Sequence, residues 1–193
     1  MGYFISLDYK NFIKYLQKDK RVFKNINDLL KEAFQVDYDI HNISTINMKK
    51  NTISWIKNGP SNAIYLLYIH NNNIIGLLRY YIQYLYDPRI NIESLCVSKD
   101  FRRLNIGTKI LKYCIETECK FLLKSRNPIT IEVLQQNKRA LTFYKKYGFK
   151  IIKKLKDEKY NYYYYVMDYI YPYINKKKSR STQKIQLSRL HYV

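Results

Sequence analysis

The stretch from Ile92 to Phe149 limits the possible folds more than any other part of this chain. Residues 92–97 (Ile-Glu-Ser-Leu-Cys-Val) alternate apolar with small or polar side chains, as a strand does. Phe101-Arg102-Arg103-Leu104-Asn105-Ile106-Gly107-Thr108 then makes a short cationic turn with one glycine, and Ile106, Ile110, Leu111 and Ile115 follow at helical spacing. A strand, a cationic turn and a helix start together suit a phosphate. The first N–H groups of a helix have no internal acceptor, and the positive end of its dipole faces the anion. Further on, Ile129–Leu134 reads as another strand, and Lys138–Tyr147 as a helix stopped by Gly148, a natural left-handed cap.

The flanking segments complete the pattern. Tyr3–Leu7 reads as a strand, and Asp8 as the cap of a helix carrying Phe12, Ile13, Leu16 and Phe23. Asn27 or Asp28 opens a second helix with Leu29, Leu30, Ala33 and Phe34, whereas Asp37–Met48 has no clear period. Thr52–Lys57 reads as a short helical turn ended by Asn58-Gly59-Pro60. Ala63–Ile69 and Ile74–Leu85, joined by His70-Asn71-Asn72-Asn73, form a hairpin, and a strand from Ile90 to Ser98 follows the break at Asp87-Pro88. The helix after the cationic turn runs to about Leu123, and Phe149–Leu155 with Tyr162–Tyr169 makes a final hairpin. Hairpins first, then strands alternating with helices, predict an α/β (α+β) domain around a sheet of mixed direction.

Composition sets the outer bounds. The 193 residues suit one domain, residues 1–173, followed by a basic tail, 174–193, that opens with Asn175-Lys176-Lys177-Lys178-Ser179-Arg180-Ser181. Ile185, Leu187 and Leu190 with Lys184 and Arg189 give that tail a second reading, as a basic amphipathic segment for a membrane or a ribosome. Hydrophobic residues make up 47% of the chain, which excludes general disorder, and no apolar run is long enough to cross a bilayer. Lys and Arg outnumber Asp and Glu by 35 to 15, a net charge of +20. Such a field draws polyanions, whether a phosphorylated cofactor, nucleic acid, a ribosome or an acidic membrane. The abundance of Lys, Asn, Ile and Tyr also has a simpler source in AT-rich coding.

Cys96, Cys114 and Cys119 are odd in number and form no C-x-x-C pair, so they read as buried reduced thiols of an intracellular protein, cytoplasmic or alternatively nuclear. His41, His70 and His191 are scattered and suggest no metal site. No secretory signal opens the chain. Met1-Gly2 with Ser6 fits the myristoylation pattern, yet Tyr3 is a poor neighbour for an acylated glycine, and Tyr3-Phe4-Ile5 reads as strand.

The spacing R-x-x-x-x-G from Arg102 to Gly107, followed by N-x-x-A-x-x-x-Y-x-x-x-G-F from Asn137 to Phe149, resembles the GNAT acyltransferase superfamily. The resemblance covers roughly Ala63 to Tyr169. It implies the GNAT fold, a mixed central sheet of about six or seven strands flanked by helices, and transfer of an acetyl group from acetyl-CoA to a primary amine, without a metal. It also assigns the residues. Leu95, Cys96 and Val97 would flank the cofactor, with a backbone N–H near Val97 for the oxyanion. Arg102, Arg103, Leu104, Asn105, Ile106, Gly107 and Thr108 would hold the pyrophosphate, and Gly107 would let backbone approach it. Asn105 stands where familiar members carry Gly, and Asn is the non-glycine residue most tolerant of left-handed backbone. Asn137 would contact the pantetheine arm, Ala140 would leave room for it, and Tyr144 would protonate the departing thiolate. A thiol near pKa 8.5 against a phenol near 10 makes that transfer feasible. Tyr144 also has a plain reading as a core aromatic in a chain with 22 tyrosines.

The proton acceptor is less defined. By period two Asn91, Glu93, Leu95 and Val97 share a face, and Asn91, where related enzymes keep an acid or a Tyr, cannot be a base. Glu93 is therefore the first candidate, and Glu132 the second, because N-terminal acetyltransferases resembling this chain place a His there. An ion pair with the abundant cations is the alternative for each. Phe101-Arg102-Arg103 through Leu111 looks most like eukaryotic protein N-terminal acetyltransferases, and the cluster Tyr160–Tyr165 resembles their peptide-gripping hairpin, with Tyr162 and Tyr163 as substrate-binding candidates. An α-amine near pKa 8 needs less help to deprotonate than a Lys near 10.4. The resemblance therefore points to protein or peptide N-termini, with Lys or a small-molecule amine as the alternative. A non-catalytic module for ribosome or nucleic acid is the reading from another class.

Overall fold

The computed structural model describes residues 2–41, 48–84, 88–120, 128–158 and 161–169, with the side chains of 35–41 and 48–51 excepted. The basic tail, the boundary drawn before it, Tyr160, and the end of the helix predicted to reach Leu123 lie outside these residues. Seven strands form one sheet in the order β1-β2-β3-β4-β5-β7-β6. They are β1 (Gly2–Asp8), β2 (Ile64–His70), β3 (Asn73–Gln83), β4 (Arg89–Val97), β5 (Ile129–Leu134), β6 (Phe149–Asp157) and β7 (Tyr162–Tyr169). Only the β4–β5 pairing is parallel. The mixed α/β sheet expected from the sequence is therefore observed.

Local chemistry explains most of the boundaries. Helix α1 (Tyr9–Lys18) starts where Asp8 accepts a 2.7 Å hydrogen bond from the N–H of Asn11. Helix α2 (Lys20–His41) begins earlier than the sequence suggested, at a second acidic cap. Asp19 is extended, at φ −148°, and accepts from the N–H of Arg21 at 2.8 Å. Phe23 therefore belongs to α2 and not to α1. Helix α3 (Met48–Lys57) is also longer than the turn predicted at Thr52–Lys57. The β2–β3 hairpin closes through Asn71 and Asn72 at φ +48° and +60°, the left-handed pair a two-residue loop needs. Helix α4 (Ile106–Tyr113) passes into a π turn over Cys114–Glu118, and α5 (Lys138–Tyr147) ends at Gly148 with φ +105°.

Two cores lie on opposite faces of the sheet. Ile106, Ile110 and Leu111 of α4 and Leu141 and Tyr144 of α5 pack on one, against Leu78, Tyr80, Ile90, Ile92 and Ile131. Helices α1–α3 cover the other through Phe12, Leu16, Ile26, Leu30 and Ile56 against Tyr65, Leu67, Leu77 and Cys96. That second core draws on no residue of β5, β6 or β7. On that face β5 and β7 carry Thr130 opposite Asp168, Glu132 opposite Val166 and Leu134 opposite Tyr164. Cys96, Cys114 and Cys119 are buried and form no disulfide. Among the described residues no helix is long and apolar enough to cross a membrane.

Candidate active site

The site begins where the sheet comes apart. β4 pairs with β5 only from Ile90–Ile129 to Ile92–Ile131, although β4 runs on to Val97 and β5 to Leu134. From Glu93 onward the β5-facing edge of β4 has no strand partner. A cleft of about 380 Å³ opens there, lined by Leu95, Cys96, Val97, Phe101, Arg102, Arg103, Asn105, Ile106, Gly107, Thr108, Asn137, Ala140, Phe143 and Tyr144. Glu32, Ala33 and Arg139 line it too, and no spacing rule in the sequence marks them.

A bulge in β4 corrects the predicted strand face. Tyr80 of β3 pairs with Ile92, and its neighbour Arg79 with Ser94, so Glu93 is the extra residue. Before the bulge, Ile90 and Ile92 point to the α4–α5 core; after it, Leu95 and Val97 do, while Cys96 enters the α1–α3 core. Glu93 therefore does not share a face with Leu95 and Val97. It lies on the α1–α3 face, where Arg79 Nε is 2.6 Å from its Oε2 in an ion contact not aligned as a hydrogen bond.

The turn between β4 and α4 is shaped for an anion. Asn105 precedes α4 at φ +59° and Arg103 stands at φ +64°. Left-handed backbone costs an L-residue about 1–2 kcal/mol, and here it curls the chain around the N-terminus of α4. Such an alternation turns successive N–H groups into one hollow. Asn105 thus adopts the conformation inferred for it. The cations divide their tasks. Arg102 turns inward, donating from Nε to the Val97 carbonyl at 2.9 Å with an Nη2 3.5 Å from Glu32 Oε2, and so ties the turn to β4 and α2. Its side chain is engaged within the protein, not held out as a phosphate ligand. Arg103 and Arg139 supply the charge that faces the cleft. Leu104 is 59% exposed and does not line the cleft, which leaves its backbone as what it can offer a ligand.

Gly107 has room for more than hydrogen. An added Cβ would meet only Phe143 at 3.6 Å and Val97 at 3.7 Å, ordinary contacts. Nothing inside the protein excludes a side chain, so any need for glycine comes from a ligand. Gly107→Val should keep the circular dichroism and melting temperature of the parent while weakening acetyl-CoA more than about tenfold, or 1.4 kcal/mol, in calorimetry. Unchanged affinity in the folded variant would move the phosphate elsewhere.

On α5, Asn137 lines the cleft, but its Oδ1 is occupied in capping the helix, accepting from the N–H of Ala140 at 3.0 Å. Only its Nδ2 donors are left for a ligand's carbonyl. Tyr144 is 5% exposed, packed edge-on against Phe143 and Phe149, and borders the cleft beside Cys96. Burial first, and the Cys96 thiol second, push its phenol far above the usual value. It therefore keeps its proton at physiological pH and has an O–H to donate.

Across the sheet, on the face that α1–α3 leave open, a second group gathers. Tyr81 of β3 pairs with Asn91, Asn91 with Thr130, and Glu132 with Val166. Burial raises Tyr81, and Glu93 and Glu132 raise it further, so both carboxylates act on this one phenol. Burial also raises Glu132, and raises Glu93 against the pull of Arg79. Among the described residues Glu132 has no ion pair, whereas Glu93 holds Arg79. Arg79 is 5% exposed and fixed in turn on Trp55, 3.7 Å from the ring centroid and 2.7 Å from the carbonyl. Tyr162 and Tyr164 come together, their rings 6.5 Å apart, and Glu132 contributes to raising Tyr164 after its slight burial. Tyr163 points the other way, under Lys154 at 4.2 Å, because alternation along β7 puts it on the opposite face. Of the expected pair Tyr162–Tyr163, the structure therefore puts only Tyr162 on this face, together with Tyr164. Among the described residues, no three His, Cys, Asp or Glu side chains could hold a metal.

The cleft suits coenzyme A in shape and chemistry: an anion hollow at one end, unpaired strand edge in the middle, and a buried phenol at the other. The profile of the acetyltransferase (GNAT) family matches residues 23–149. That is more than half of the chain, which belongs to this family of acetyl-CoA-dependent N-acyltransferases. No curated protein matches the sequence. Among solved structures, PH1933 from Pyrococcus horikoshii OT3 is similar with a TM-score of 0.63 and 18% identity, over 88% of this chain and 98% of its own. The aminoglycoside 6′-acetyltransferase type Ii gives 0.57 and 18%, over 86% and 95%. Arabidopsis thaliana Naa50, solved with the bisubstrate analogue CoA-Ac-MVNAL, gives 0.52 and 18%, over 88% and 99%. At these identities the likeness is one of fold.

Proposed function

We propose that this enzyme acetylates the α-amino group of a protein or peptide N-terminus. The observation that carries the reading is the open sheet face beside the cleft, where Tyr81 and Tyr164 lie near Glu132, which has no ion pair among the described residues, and Tyr162 stands beside Tyr164. Aromatic rings with hydroxyl tips cover apolar side chains while bonding peptide backbone. The bisubstrate analogue bound by the structurally similar Naa50 has a peptide as its acceptor half. The similar aminoglycoside acetyltransferase keeps a small-molecule amine as the competing outcome. Buried cysteines that form no disulfide suit a reducing compartment, and the cytoplasm is the proposed location.

The cofactor supplies a thioester whose C–S bond breaks as the amine nitrogen bonds to the acyl carbon. The chain's own groups do the rest. Glu132 takes the proton that the amine must lose, directly or through water, and burial suits it to the task by making it a stronger base than an ordinary carboxylate. Glu93 holds Arg79, and through it the position of Trp55. A backbone N–H on the β5-facing edge of β4 near Val97 would face the carbonyl oxygen as negative charge builds there. Tyr144 donates to the sulfur as it leaves. The test is an acetylation screen, read by mass spectrometry, over peptides with free N-termini, Lys-containing peptides with blocked N-termini, and small amines. Acetyl groups only on free α-amines are expected. Transfer confined to Lys side chains or to small amines would overturn the acceptor assignment but not the transferase.

A further inference from the structure

Residues 138–156 hold eight cations, Lys138, Arg139, Lys145, Lys146, Lys150, Lys153, Lys154 and Lys156, and no acid. The fold concentrates them. α5 packs directly on β6, and β6 is the outer strand of the sheet, so both elements share one corner of the molecule. All eight residues are exposed. Among the described residues the one ion pair in this set is Lys156 with Glu158, 2.9 Å apart. Holding so many like charges on one helix and one strand is unfavourable unless an anion offsets them. Arg139 faces the cofactor cleft, and the lysines of β6 face away from it.

We propose that the β6–α5 edge binds the phosphate backbone of a nucleic acid, independently of the acetyl-transfer site. The bulge near Ile152 decides between nucleic acid and a flat acidic surface. Register pairs Lys150 with Asp168 and Lys153 with Val166 on one face of β6, and Lys154 with Tyr165 and Lys156 with Tyr163 on the other. The cations therefore fan out on both sides of a strand edge. A flexible polyanion can follow both rows, whereas a bilayer could meet only one. Ile152, the extra residue of the bulge, is 53% exposed, and Tyr163, 41% exposed, lies on the face of Lys154 and Lys156, under the Lys154 ammonium. An exposed ring beside cations is the pairing on which bases stack.

The test compares two variants of equal charge change, Lys153→Gln/Lys154→Gln/Lys156→Gln on β6 and Lys10→Gln/Lys14→Gln/Lys18→Gln on the exposed face of α1. The probe is a fluorescent single-stranded RNA of mixed sequence, titrated by anisotropy at several salt concentrations. Duplex DNA, polyglutamate and anionic vesicles serve as comparison arms. The β6 variant should bind RNA at least about tenfold more weakly, and its log–log salt slope should shrink by about 2, at roughly 0.7 for each phosphate no longer neutralised. The α1 variant should bind like the wild type, and acetylation of a short neutral peptide should be unchanged in both. Equal weakening by the two variants would mean a general field and overturn the site. Polyglutamate or vesicle binding with the same β6 dependence, and stronger than RNA, would overturn nucleic acid as the partner. Ultraviolet cross-linking of wild-type protein to the same RNA tests the site without any variant. Adducts are expected on β6 and β7 peptides, and adducts confined to α1 and α2 would overturn it.

Discussion

Tyr144→Phe is expected to lower kcat by ~10²–10⁴-fold, the usual worth of general-acid assistance, with KM for acetyl-CoA close to that of the wild type. The ring carries the packing, and Phe keeps it. Tyr144 stacks edge-on with Phe143 and Phe149, at centroid distances of 5.1 and 5.4 Å, and losing the hydroxyl disturbs neither. What disappears is the hydroxyl donor that Tyr144 holds at the edge of the cleft. An interaction made only as the C–S bond stretches changes kcat and leaves ground-state binding alone. The raised phenol refines what the hydroxyl can do. A donor less acidic than ordinary tyrosine does not give up its proton to a solvated thiolate. A coenzyme A sulfur held beside Tyr144 would be partly shielded from water as well, which would raise the basicity of its thiolate along with that of the phenol, and Tyr144 would serve it as a hydrogen-bond donor. Equal kcat in the two proteins, with folding verified by melting, would return Tyr144 to the role of a core aromatic.

Residues whose conformation is dictated by their neighbours in the chain could be read from the sequence. Asn105 before the helix, Gly148 after one, Asp8 as a cap and the asparagines of the first hairpin all behave as their types require. What escaped was set by register and by distant partners. The bulge at Glu93 has no local signature, yet it turns Leu95 and Val97 to the face opposite Glu93. A run of tyrosines gives no hint of which rings face the carboxylates until β7 is placed between β5 and β6. Arg79 lies inside an apolar strand, and what makes it tolerable there is Trp55, 24 residues away. Glu32 is one acid among several on a helix surface. Only the fold brings it 3.5 Å from Arg102 and lets it accept the N–H of Lys99 at 2.6 Å, at the foot of the phosphate turn.

The two carboxylates should separate by the kind of damage their loss causes. Glu132→Gln is expected to depress kcat/KM by ~10²–10⁴-fold near neutral pH, the range for loss of a general base. Glu93→Gln should cost far less in rate and show instead as a lower melting temperature, because buried Arg79 loses its counter-charge. The pH dependence gives the sign. Burial raises Glu132, so its proton is held to higher pH than an ordinary Glu would hold it. In the wild type, activity therefore falls as pH drops through that raised value, and above it Glu132 takes the amine's proton and offsets the loss of neutral amine below about pH 8. With Gln at 132 the carboxylate limb disappears and only the amine limb remains. The deficit should be deepest between the raised Glu132 value and about pH 8, shrink below that window because the wild type has then lost its base too, and narrow toward pH 9–10 (roughly, from the α-amine value near 8), where the acceptor arrives already neutral. A deficit that stays constant across the whole range would assign Glu132 to holding the acceptor's charge and not its proton. If Glu93→Gln instead takes the larger kinetic loss with the melting temperature unchanged, the proton goes to Glu93. Arg79 would then be the group that tunes it, and the bulge in β4 would serve to aim the base as well as to open the cleft.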